Sequence, residues 1–164
     1  MKLQRLRIEN FKRFRASLEL RDFTDGLNLF VAPNEAGKST VAEAIRAAFF
    51  ERYKSSSVSS LRPWSDSSAT PSVEIEFELD GKPARLSKAF LGKKRCQLSI
   101  DGRDLDGTEA EDHLGELLGF SFAGRGGSSP RHMGIPGLLW IKQGTSHELA
   151  QAVGFASDQL RNAL

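Results

Sequence analysis

Nine consecutive residues, Ala32 to Thr40, read APNEAGKST and constrain this chain more than any other stretch. They follow a short apolar run, Leu27 to Val31, that starts after the turn signal Asp25-Gly26. Such a run predicts a buried strand. They precede Val41, Ala44, Ile45, Ala48 and Phe49, whose spacings of three and four predict a helix from Lys38 onward. Strand, loop and helix in that order is the setting of the phosphate-loop pattern, GxxxxGK followed by Ser or Thr. Consecutive backbone N–H groups of such a loop curl around an anion, and the helix N-terminus adds its positive dipole end. Gly37 has no side chain to block a phosphate, Lys38 can reach β- and γ-phosphates, and the Ser39 hydroxyl can ligate Mg²⁺. One departure stands out: Ala32 occupies the place of the pattern's first glycine. The bland alternative is a Gly-Lys-Ser helix start that holds no ligand.

Around this loop the chain reads as sheet. Residues 2–9 alternate, with Leu6 and Ile8 on one face and Arg5, Arg7 and Glu9 on the other; residues 16–20 repeat the pattern through Ala16, Leu18 and Leu20. Residues 73–79 place Val73, Ile75, Phe77 and Leu79 inward and Glu74, Glu76 and Glu78 toward water. Asp80-Gly81 turns the chain into residues 84–90, where Ala84 and Leu86 alternate and Lys88 and Phe90 follow less cleanly. A third strand spans 95–100 and ends at Asp101-Gly102. The three strands predict an antiparallel meander with one wet face.

Between these parts lies a loop. Nine of the 18 residues from Ser55 to Ser72 are serine, too polar to bury a face of their own. Leu61-Arg62-Pro63-Trp64 interrupts them, and Trp64 reads as the anchor of the loop on the core. Further on, Thr108 and Glu111 have capping-box spacing and predict a helix through Leu114, Leu117 and Leu118 that Gly119 stops. Residues 123–137 hold five glycines and two prolines and read as a loop. Leu138 to Ile141 predicts a strand ending at Lys142-Gln143-Gly144. From Ser146 the spacing of Leu149, Val153, Ala156, Leu160 and Ala163 is that of heptads, and the pattern runs to Leu164 with no cap.

Composition excludes several classes. The 164 residues carry 23 Lys and Arg against 21 Asp and Glu, a net charge of +2, so the chain is neither histone-like nor acid-tailed. The single cysteine, Cys96, cannot form an internal disulfide or a cysteine zinc cluster, and sits in a strand pattern as a packing residue. A reducing, cytoplasmic setting is the simple expectation. No apolar run approaches the roughly 18 residues of a membrane span. His113, His132 and His147 lack ligand spacing, and Lys93, Lys94 and Arg95 read as a basic hairpin tip.

Several segments together resemble the SMC-like, ABC-type ATPases of DNA repair and chromosome maintenance, and within them the SbcC-like and YhaN-like members. The matching pieces are MKLQRLRIENFKRF, DGLNLFVAPNEAGKSTVAEAI, the strands of 73–90 and LLWIKQG, in that order over nearly the whole chain. The resemblance implies that Asn34, Glu35, Ala36, Gly37, Lys38, Ser39 and Thr40 wrap the phosphates of ATP. It implies that Gln143 is the Q-loop glutamine, which touches Mg²⁺ and the attacking water, and that Ser39 is the other Mg²⁺ ligand. It puts Lys12 and Arg13 near the nucleotide phosphates, and Arg62, Pro63 and Trp64 near base and ribose. Each has a plainer reading as well: Gln143 as a loop glutamine, Lys12 and Arg13 as solvated charges, Trp64 as an anchor.

Some of the family's parts have no counterpart here. No apolar run ending in Asp-Glu follows the phosphate loop, and no ABC signature serine opens a helix; Gly126-Gly127-Ser128 lies in an arginine-rich loop. Phosphoryl transfer to water needs anchored Mg²⁺ and a group that orients the water. The expectation is therefore an α/β fold: a phosphate-loop ABC-type N-lobe with an antiparallel β-sheet over residues 1–145 and the start of a coiled-coil helix over 146–164. The resemblance makes it the N-terminal half of an ATPase head, which hydrolyses ATP only with its C-terminal half, dimerises with ATP and, in the full assembly, meets DNA and a nuclease subunit. Two alternatives stay open, a stand-alone nucleotide sensor without turnover, and a GTPase or small-molecule kinase.

Overall fold

The computed structural model describes residues 1–122. Six strands form one antiparallel sheet: β1 (Lys2–Glu9), β2 (Leu18–Leu20), β3 (Ser72–Leu79), β4 (Lys82–Ala89), β5 (Arg95–Ile100) and β6 (Arg103–Asp106), in the order β2-β1-β3-β4-β5-β6. Helix α1 (Lys38–Phe50) packs on β1, β3 and β4, and α2 (Gly107–Leu118) on β5 and β6. The strand expected over 138–141, Gln143 and the heptads of 146–164 lie outside the described residues, and so does the boundary at residue 145.

Register explains why these strands share one core. Leu20, Leu6, Ile75, Leu86, Leu98 and Leu105 are successive cross-strand partners, an apolar row that crosses the whole sheet. The next outward row runs Arg5, Glu76, Arg85, Ser99 and Asp104. Slipping any strand by one residue would exchange the two rows, so the pattern fixes the pairing. The hairpins β3–β4 and β5–β6 close on Asp80-Gly81 and Asp101-Gly102, all four residues at positive φ, as a tight two-residue turn demands. On the wet face Arg5 bridges Glu19, Glu74 and Glu76 at 2.6–2.8 Å.

Three expectations need correction. Leu27 to Val31 forms no strand, and Leu27, Leu29 and Val31 are 90%, 79% and 82% exposed. A strand needs a hydrogen-bonding neighbour; among the described residues the sheet ends at β2 and β6 and offers this run none. The short strand β6 was not foreseen, and it moves the start of α2 to Gly107, so Asp106 rather than Thr108 precedes the helix, with no side-chain cap. Glu111, instead of closing a capping box, is buried against Lys88. The predicted C-terminal stop holds: Gly119 is left-handed at φ +69° and Phe120 N–H donates to Gly115 O at 2.9 Å. Trp64 is not the anchor of the serine loop, being 91% exposed; Val58, Leu61, Pro63, Ala69 and Pro71 are the buried residues there.

Candidate functional site

The phosphate-loop string folds as a tight curl ahead of α1. Ala36 N–H donates to Pro33 O at 3.3 Å, Glu35 is left-handed at φ +64°, and Gly37 has φ +104°. Gly37 is required twice over: its φ disfavours any side chain, and a Cβ there would lie 2.5 Å from the ring of Phe14. Ala32, in place of the pattern's first glycine, is exposed and is not among the positive-φ residues, so its methyl group is accommodated without strain.

The N-terminus of α1 carries no side-chain cap and no acidic residue in its first turn. Its first N–H groups and dipole end are thus left for an anion. Lys38 Nζ donates to Ala32 O at 2.6 Å and Pro33 O at 2.9 Å, strapping an ammonium across the curl. Ser39 is exposed beside it. This donor set, backbone N–H groups, one ammonium and a hydroxyl, fits a polyphosphate and one oxygen ligand for Mg²⁺.

A tight turn braces the loop from one side. Phe11 and Phe14 exchange backbone hydrogen bonds of 2.8 Å, which puts Lys12 and Arg13 at the tip. Phe14 rests on Gly37, and Lys12 Nζ forms an ion pair with Glu43 of α1. Lys12 N–H donates to Leu61 O at 2.7 Å, and Arg15 donates to Trp64 O at 2.9 Å and Ser65 Oγ at 3.1 Å. The turn therefore joins the phosphate loop to the serine loop. Arg13 is exposed, whereas Arg62 spends its Nε–H on Ala69 O at 3.0 Å, holding its own loop closed.

Phe14 and Glu43 were not singled out in the sequence. Glu43 is the one carboxylate in the helix pattern from Lys38 to Phe50, which marks it; Phe14 carried no signal beyond its nearness to Lys12 and Arg13. Lys93, Lys94 and Arg95 form an exposed tip, where Lys94 Nζ donates to Lys54 O at 3.1 Å. Among the described residues no group of three or more His, Cys, Asp or Glu side chains could hold a metal ion.

The AAA domain family matches residues 5–130. The chain belongs to that family. Over 50 residues, 30% of the chain, it is 48% identical to the DNA double-strand break repair Rad50 ATPase of Methanopyrus kandleri, and over 135 residues, 75% of the chain, it is 27% identical to urease accessory protein 2 of Cryptococcus neoformans var. grubii. It spans only 6% and 11% of the lengths of these relatives. The SMC head domain of Thermotoga maritima superimposes with a TM-score of 0.50 at 22% identity, over 78% of this chain and 44% of that one. The fold is that of an SMC-type head, and the resemblance to the SMC-like and SbcC-like ATPases holds.

Proposed function

We propose that this chain is the N-terminal lobe of an SMC- and SbcC-like ATPase head that binds ATP with Mg²⁺ and serves DNA repair or chromosome maintenance. The observation that carries the reading is the N-terminus of α1: uncapped, free of acidic residues, and preceded by the curl through Glu35 and Gly37. Asn34 to Thr40 cradle the phosphates, Lys38 neutralises them, and Ser39 offers its hydroxyl to Mg²⁺, which when bound draws charge from the β- and γ-oxygens. Lys12 and Arg13 face the phosphates from the Phe11–Phe14 turn, and Pro63, Trp64 and Arg62 flank the base. Gln143 positions the attacking water. The Rad50 ATPase likeness supports the DNA-repair setting.

Turnover requires more than these residues, because none of them is placed as a general base. In this reading the C-terminal half of the head supplies the carboxylates and docks on the exposed run Leu27, Leu29 and Val31, where it provides the missing strand neighbour. ATP then joins two completed heads into a dimer, with DNA and a nuclease subunit as further partners. The test is phosphate release by the purified chain, alone and mixed with a C-terminal half that carries the acidic motif. Activity only in the mixture, lost in Lys38→Ala, supports the reading. Hydrolysis by the chain alone contradicts it, and nucleotide binding with no turnover in either case favours the sensor alternative.

A further inference from the structure

We infer that Glu43 is a counter-ion switch for Lys12: it holds the ammonium one helical turn back from the N-terminus of α1 until a polyphosphate draws it away. The inference rests on the ATP-binding reading above and adds its regulation. Three observations carry it. Lys12 Nζ and Glu43 form an ion pair, and Glu43 lies four residues after Ser39 on α1, hence one turn below the end of the helix and on the same face. Phe14, two residues after Lys12, touches Gly37, so the Phe11–Phe14 turn sits at the phosphate-loop end of α1. The backbone of Lys12 is tied to Leu61 O at 2.7 Å, so a change of partner falls to its long side chain.

The reach is short. One helical turn is about 5.4 Å, which a four-carbon lysine stem can span by rotating its torsions. The pair is also weak where it stands, since Lys12 and Glu43 remain 32% and 33% exposed and water screens them. A polyphosphate at the head of α1 carries several negative charges against the single charge of Glu43, so Lys12 changes partner as it binds. Glu43 consequently lowers nucleotide affinity, because its pair must open first, and it restores the resting position on release. A merely structural Glu43 would have the opposite effect, since its loss would loosen α1 and weaken binding.

The experiment is calorimetric titration of ATP with Mg²⁺ into the full 164-residue chain. It compares the parent, Glu43→Gln, Lys12→Met and the double variant, each checked by its thermal unfolding midpoint. Glu43→Gln should bind about three- to fivefold more tightly, the worth of one exposed pair. Lys12→Met should bind more weakly, and in that background Glu43→Gln should change nothing. If Glu43→Gln folds poorly, Glu43→Ala, which removes the carboxylate and keeps a good helix former, should show the same tightening. Unchanged or weaker binding in the Glu43 variants, or tightening that persists without Lys12, overturns the switch. A parent that binds no ATP, or binds it equally well after Lys38→Ala, removes the ATP reading and the switch together. Lys38-dependent binding without a response at Glu43 removes the switch alone.

Discussion

Lys88 Nζ lies 3.1 Å from Glu111 Oε1, and both side chains are wholly enclosed by the core. The register forces Lys88 inward, in the row Leu18, Ile8, Val73, Lys88 and Cys96. Its ammonium donates to Glu51 O at 2.9 Å and lies 4.8 Å from the ring centre of Phe122, while Glu111 accepts from Tyr53 N–H at 2.7 Å. The pair thus ties β4 and α2 to the segment just after α1. Burial holds the Lys88 ammonium below the ordinary lysine pKa, with the Glu111 charge acting against that shift.

Lys88→Met should destabilise the chain by up to about 3–5 kcal/mol, because the buried Glu111 carboxylate loses its ammonium and keeps the Tyr53 N–H and the more distant Arg52 guanidinium, 3.6 Å away. Lys88→Met with Glu111→Leu should be less harmful than Lys88→Met alone, since it removes both buried charges together. Denaturant midpoints of the four proteins measure this. A double variant whose loss equals the sum of the single losses would show that the two charges do not depend on each other.

Gly37→Ala should unfold more easily by about 1–3 kcal/mol and lose nucleotide affinity, because φ +104° and the Phe14 ring both oppose a Cβ. Relieving the ring with Phe14→Ala should recover only part of the loss, as the backbone strain stays. Parent-like stability of Gly37→Ala would mean that the curl reshapes at no cost.

The sheet was legible in the sequence because alternation with period two survives wherever one face is wet, as in residues 73–79. The two Asp-Gly turns were legible because positive φ selects those residues. What failed was whatever depends on neighbours. Leu27 to Val31 has strand composition, but its hydrogen bonds need a partner strand that its own residues do not reveal. Glu111 has capping-box spacing, but the buried Lys88 competes for its carboxylate and wins. Trp64 looked like an anchor because aromatic residues usually bury, yet Leu61 and Pro63 fill that place. At the site, the loop itself was legible from its string, whereas Phe14 and Glu43 act through contacts across the fold.

Burial pushes the Cys96 thiol up to about 11. At about pH 8 iodoacetamide should therefore leave this only cysteine unlabelled in the native chain and modify it fully in denaturant. Fast native labelling, read by mass spectrometry, would place Cys96 in a region that opens readily.

Three carboxyl groups are held below their ordinary values: Glu19 by hydrogen bonds from Arg5 and Arg21, Asp66 by the Ser68 hydroxyl and N–H, and Asp101 by Lys82. A depressed folded value means that the unfolded chain binds more protons, so this stability is present above the ordinary values of 3.8 to 4.5 and is lost as pH falls through the lower, folded ones. Glu19→Gln should flatten the acid limb of the unfolding midpoint against pH. An unchanged limb would show that the Arg5 and Arg21 contacts add nothing to folding.

The proposed function stands or falls with nucleotide binding by the loop from Ala32 to Thr40 through its backbone and Lys38. Titration of ATP with Mg²⁺ into the parent chain and Lys38→Ala, with equal unfolding midpoints, tests it most directly. The parent should bind saturably, and Lys38→Ala should bind at least about tenfold more weakly, some 1.4 kcal/mol or more. Equal affinities in the two proteins, or no binding by the parent, would contradict it.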